Sequence, residues 1–342
     1  MVNLSELAPT RNPNDCPEAR AAAIARALVC LDRSASSDSC LPYARLIADT
    51  FGASITLLHV MPSAPGAHEP NRADALEWEL AKREAEHYLD GARASLGVSA
   101  ERVTTRLTQG SPAEQIGSIA REIGADLTIL SSYGEASASM SGMGGIAQHV
   151  LAMVSGSVLL VEPGSPARIP PRRIMVPLDG SQRSECVLPI AADLAHLHGA
   201  EVLLAHVVAD PTPTAMLSNP EDLRLAVSLA SKLEANAETY LARVRARLLR
   251  QVPVVRTIVV RRPEERQALL DLAAEHSIDM VLLTAHGTTC NADRVFGSVA
   301  SHLLAHAHLP LFVLQDMPHG TTDRAPDSPR RTAISTRPLE GE

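Results

Sequence analysis

Arg173-Ile174-Met175-Val176-Pro177-Leu178-Asp179-Gly180-Ser181 is a short apolar run that ends on an aspartate and a turn. An earlier stretch, Ala27-Leu28-Val29-Cys30-Leu31-Asp32-Arg33-Ser34, says nearly the same thing. At the same displacement Leu57-Leu58-His59-Val60 is echoed by Leu204-Ala205-His206-Val207. Further on, Tyr133-Gly134 and Gly144-Gly145 answer His286-Gly287 and Gly297-Ser298 at a slightly larger displacement, so the second copy carries a few extra residues in between. Solenoid repeats run to roughly 20–50 residues, so a repeat this long is a duplicated domain. Each copy has the size at which a chain buries its own core. The expected organisation is an extension over 1–23, a first domain over 24–163, a proline-rich linker over 164–171, a second domain over 172–316 and a disordered tail over 317–342.

Composition narrows the function. With 45% hydrophobic and 20% charged residues the chain reads as globular, and no apolar run approaches the ~18 residues of a membrane span. Met1 to Pro17 is polar where a signal peptide would be basic and then apolar, so a cytoplasmic location is expected. A net charge of −8 and only 2% aromatic residues speak against nucleic acid, which needs cationic surface and stacking platforms. Cys16, Cys30, Cys40, Cys186 and Cys290 show no paired spacing, which favours reduced thiols.

In the first copy Ala27–Leu31, Ile55–Val60, Leu127–Leu130 and Val158–Val161 read as strands buried on both faces. A helix is expected from about Ser37 to Thr50, stopped by Gly52, and a longer one from about Arg72 to Leu96, ended by Gly97. Ser111-Pro112-Ala113-Glu114 has the pattern of a capping box, opening a helix that Gly124 closes. The second copy reads the same way, with strands near Ile174–Val176, Val202–Val207, Val254–Val260, Met280–Leu283 and Leu311–Leu314. Strands alternating with helices imply right-handed crossovers and a parallel sheet covered on both faces.

In such a sheet, ligands bind beyond the carboxyl ends of the strands where the strand order reverses. Asp32 or Asp179 follows the first strand, Val60 or Val207 ends the second, and a glycine-bearing loop follows the fourth. A carboxylate there suits ribose hydroxyls, and glycines opening a helix let backbone amides approach phosphate. The same residues also suit a turn or a cap without any ligand.

Both copies resemble universal stress protein domains, over about residues 24 to 316. That family's nucleotide motif is Gly-x2-Gly-x9-Gly-[Ser/Thr] after the fourth strand. The second copy has Thr284-Ala285-His286-Gly287, nine residues, then Gly297-Ser298. The resemblance implies two tandem Rossmann-like α/β domains, each a five-stranded parallel sheet with helices on both faces, packed together through their last strands. It implies ATP as ligand, with Mg2+ carried on the phosphates. Asp179 would meet the ribose, Val207 and Leu283 the adenine, and Gly287, Gly297, Ser298 and Val299 the phosphates. Pro177 and Leu178 would lead into the pocket, with His286 positional in the loop. Thr284 departs from the family's first glycine, and Arg261-Arg262-Pro263 from the Gly110-Ser111-Pro112 that the first copy keeps.

The first copy departs further, with Ser131 for the first glycine and Gly145 for the hydroxyl residue. Asp32, Val60, Gly134, Gly144 and Gly145 therefore make the weaker site. The resemblance implies a nucleotide-responsive regulatory protein of the stress response, a pseudo-dimer of its own halves that pairs with a protein partner or a second copy. The alternatives are a nucleotide-independent scaffold of the same fold and, third, a slow ATPase. No P-loop and no Gly-x-Ser-x-Gly elbow is present. His302 and His306, four apart, have a spacing that suits zinc but no third ligand nearby in sequence, so a solvated helix face is expected.

Overall fold

A computed structural model of the chain describes residues 24–62, 72–133, 143–154, 156–210, 219–288 and 295–315. Its first half runs β1 (Arg26–Leu31), α1 (Ala35–Asp38), α2 (Cys40–Phe51), β2 (Ser54–Met61), α3 (Arg72–Ser95), β3 (Val103–Gln109), α4 (Pro112–Glu122), β4 (Leu127–Ser131), α5 (Gly145–Met153) and β5 (Ser157–Val161). The second half repeats the order as β6 (Arg173–Pro177), α6 (Gln182–Glu185), α7 (Leu188–His198), β7 (Glu201–Ala209), α8 (Pro220–Leu248), β8 (Val255–Arg262), α9 (Glu265–Glu275), β9 (Met280–Thr284), α10 (Ser298–His306) and β10 (Leu311–Leu314). The proposed extension 1–23, the tail 317–342 and Gly134 lie outside the described residues.

The halves join into one ten-stranded sheet of order β3-β2-β1-β4-β5-β10-β9-β6-β7-β8. β5 and β10 meet antiparallel, with Leu311, Phe312 and Val313 opposite Leu160, Leu159 and Val158. The other pairs are parallel, as short strands linked by helices require. The expectation that the two last strands would pair is met residue by residue. α2, α3, α7 and α8 cover one face and α4, α5, α9 and α10 the other, and each core runs through both halves.

Several local expectations change. The single helix read over Ser37 to Thr50 is broken at Ser39 into α1 and α2. Pro42 explains the break: inside one continuous helix it would remove a hydrogen bond and clash with the preceding turn, whereas in the first turn of α2 it does neither. Pro189 does the same at the start of α7. Ser111 precedes α4 in extended conformation but its side chain makes no capping bond, so the capping box is not formed. Gly124 does close α4, at φ 58°, with Ala125 N donating to Ala120 O and Gly124 N to Arg121 O. Cys186 is disulfide-bonded, while Cys30 and Cys40 are free thiols. The reduced-thiol expectation therefore fails at Cys186.

Phe312 is wholly buried at the junction of the halves, in register with Leu159. Phe312→Ala is expected to lower unfolding stability by about 3–5 kcal/mol, as a large aromatic lost from a close-packed core does. Denaturant titration of the intact chain reads the loss, and a change below about 1 kcal/mol would show that the junction carries little.

Candidate functional site

The strand order reverses between β6 and β9, and there a cavity of about 240 Å³ opens beyond their carboxyl ends. Pro177, Leu178, Asp179, Val207, Leu283, His286, Gly287, Gly297, Ser298 and Val299 all line it. These are the ten second-copy residues singled out from the sequence. The cavity also takes in Ser184, Ala205, Glu265, Leu269 and Thr288, which sequence reasoning passed over. Thr288 stood next to Gly287 and was legible as part of the loop. Glu265 was hidden by an alignment that put Pro263 at the helix start, whereas the structure begins α9 at Glu265, where the first half has Pro112.

Asp179 organises the site. Its Oδ1 accepts from Ser181 N at 2.9 Å and Ser181 Oγ at 2.6 Å. Its Oδ2 accepts from Thr288 N and Thr288 Oγ1, both at 2.6 Å. One carboxylate thus ties the turn after β6 to the loop after β9. A Cβ at position 287 would overlap Asp179 Oδ2, so Gly287 is required by the approach of that carboxylate. Burial pushes the Asp179 carboxyl up, but the bonds from Ser181 and Thr288 outweigh it and hold it at about 2.

Behind the aspartate, His206 Nδ1 lies 2.6 Å from the Leu178 carbonyl, which only accepts, so the ring donates there. This pins β7 to the end of β6, and His59 makes the same bond to Leu31 in the first half. Thr284, which departs from the family's first glycine, is tied into the loop. Its hydroxyl donates to the His286 carbonyl at 2.8 Å, and Ser131 does the same to Tyr133. Gly297 N donates to Ala285 O at 2.7 Å and closes the loop, leaving the first-turn amides of α10 at Ser298 and beyond with no partner inside the helix. That helix end, with the Ser298 hydroxyl beside it, is a ready anion site.

A matching cavity of about 270 Å³ lies between β1 and β4. Asp32, Val60 and Gly144 line it and Gly145 does not. Leu58, Pro112 and Ile146 stand where the second half has Ala205, Glu265 and Val299, so this cavity is more apolar. Burial pushes the Cys30 thiol in its wall up to about 12, so it stays protonated and is no nucleophile at neutral pH. Arg33 follows Asp32 at φ 70°, in the conformation that Gly180 adopts at φ 87°. The backbone turn is therefore the same in both halves, held by arginine in one and by glycine in the other.

His302 and His306 stack at 4.3 Å, with His306 Nδ1 donating to the His302 carbonyl. Among the described residues no group of three potential metal ligands converges, and no helix is long and apolar enough to cross a membrane.

Two joined parallel sheets, each with a cavity at its switch point beside a strand-end aspartate and a glycine-opened helix, define a tandem Rossmann-like α/β protein. The family model described as the universal stress protein family matches residues 24–162 and again 171–315, and the chain belongs to that family. The fold is similar to a universal stress protein from Archaeoglobus fulgidus, at 16% identity and a TM-score of 0.59, covering 85% of this chain and 98% of that one. A putative universal stress protein from Pseudomonas aeruginosa is similar at 15% identity and a TM-score of 0.57, covering 86% and 94%. No curated protein matches the chain.

Because the Asp179 carboxyl is held at about 2 against an ordinary 3.8, the stability it lends is complete above about pH 4 and is lost as pH falls through 2. The melting temperature should therefore drop across that interval. Asp179→Asn should melt lower at neutral pH and fall less steeply between pH 4 and 2. Equal slopes in the two proteins would show that another carboxylate is responsible.

Proposed function

We propose that the chain is an adenine-nucleotide-binding regulatory protein of the stress response, with nucleotide held mainly by the second domain. The observation that carries this reading is that Gly287 and Gly297-Ser298 line one cavity with Asp179, at the start of α10 where the first-turn amides have no partner inside the helix. The adenine would lie against Val207 and Leu283, and the phosphates of ATP against Gly297, Ser298 and Val299. Occupancy would alter the surface that the joined halves offer to a protein partner or to a second copy, in the cytoplasm. With neither lysine nor arginine among the described lining residues, efficient phosphoryl transfer is not part of the reading.

Calorimetric titration with adenine nucleotides, with and without Mg2+, tests it. One binding event per chain is expected, and neither heat nor thermal shift at millimolar nucleotide would overturn it. The asymmetry between halves has its own test. A Cβ at position 145 meets nothing within 4 Å, so Gly145→Ser restores the missing hydroxyl without crowding. It should strengthen binding in the first cavity by about fivefold, the worth of one hydrogen bond of about 1 kcal/mol, seen as a second phase in the titration.

A second reading, a scaffold that works without nucleotide, is favoured by one observation: both Asp179 oxygens are already engaged by Ser181 and Thr288. A Cβ at position 297 would sit 3.3 Å from Ala285 O, so Gly297→Val narrows the phosphate end. The scaffold reading expects that variant to keep its cellular role, and the nucleotide reading expects it to lose it.

A further inference from the structure

We propose that Glu265 makes the second-domain cavity select nucleotides of low negative charge, favouring a nucleoside monophosphate or cyclic monophosphate over a triphosphate. The inference rests on the nucleotide reading of this cavity and adds the discriminating residue. Two carboxylates line the space, Asp179 at the end of β6 and Glu265 at the first position of α9, and the described lining contains no lysine or arginine. Among the described residues a positive contribution comes from the start of α10, equivalent to roughly half an elementary charge. Each phosphate beyond the first adds repulsion from the two carboxylates that line the space.

The arginines that distinguish this loop do not make up the difference. Arg261 is committed to Asp210 at 2.8 Å and to Glu234 at 3.8 Å. Arg262 turns its Nη1 to the Arg261 carbonyl at 3.3 Å, and Arg266 lies 3.8 Å from Glu264. Partial burial in the cavity wall and the Asp179 charge push the Glu265 carboxyl up, against the pull of His206 and Arg266. A second negative charge is thus already unwelcome at this point before any phosphate arrives. The first half shows that the carboxylate is not needed for the fold, since Pro112 fills the same place at the start of α4.

Displacement titrations with adenosine, AMP and ATP, in EDTA and in excess Mg2+, test the inference on the intact chain, on Glu265→Gln and on Glu265→Pro. The wild type is expected to bind AMP more tightly than ATP in EDTA. Both variants should raise the ATP-to-AMP affinity ratio by about fivefold, the scale of one partly screened charge pair. Equal affinity for AMP and ATP in the wild type, or an unchanged ratio in both variants, would overturn it. So would a loss of MgATP binding in Glu265→Gln, since the carboxylate would then be holding the cation. If adenosine, AMP and ATP all fail to bind the wild type, the nucleotide reading falls together with the inference. If adenosine binds and the ratio stays flat, the inference falls alone.

Discussion

The pairing of β5 with β10 is the constraint on which the rest of the molecule depends. A five-stranded parallel sheet ending on β5 or β10 would expose a row of unpaired backbone groups and the apolar residues around Leu159 and Phe312. Joining the two edges satisfies both at once and lets each core continue from one half into the other. The edges that remain are β3 and β8, at the outer ends of the sheet, and they are of a different kind. Thr104, Arg106, Arg256 and Arg261 along them are charged or polar, and Arg106 and Arg256 hold ion pairs with Glu122 and Glu201. Charged edge strands of this sort resist further pairing.

In the second half one carboxylate holds two segments. The hydrogen bonds of Asp179 tie the turn after β6 to the start of the glycine loop. His206 reinforces that arrangement from β7, and Thr284 reinforces it from β9. The first half preserves the aspartate turn and the histidine but has Pro112 and Gly145 at the helix starts where the second has Glu265 and Ser298.

Much of this was legible from the chain because the relevant signals are local. Apolar runs marked the doubly buried strands, Gly52, Gly97 and Gly124 marked helix ends, and the repeat made each half a check on the other. β3 was not named because Thr104, Arg106 and Thr108 alternate with its apolar residues, as befits an edge strand with one wet face. The bonds from Thr288 to Asp179 join residues far apart in sequence, and no spacing announces them. Glu265 was missed for a smaller reason: Pro263 was matched to Pro112, whereas it stands one residue after β8, where the first half has Gly110, and Glu265 takes the place of Pro112.

The antiparallel join has a geometric consequence. Both cavities lie beyond the carboxyl ends of their own strands, and β5 and β10 run in opposite senses, so the two mouths open along opposite edges of the sheet, across the strand direction. The duplicated chain therefore carries two differently lined cavities that face opposite ways.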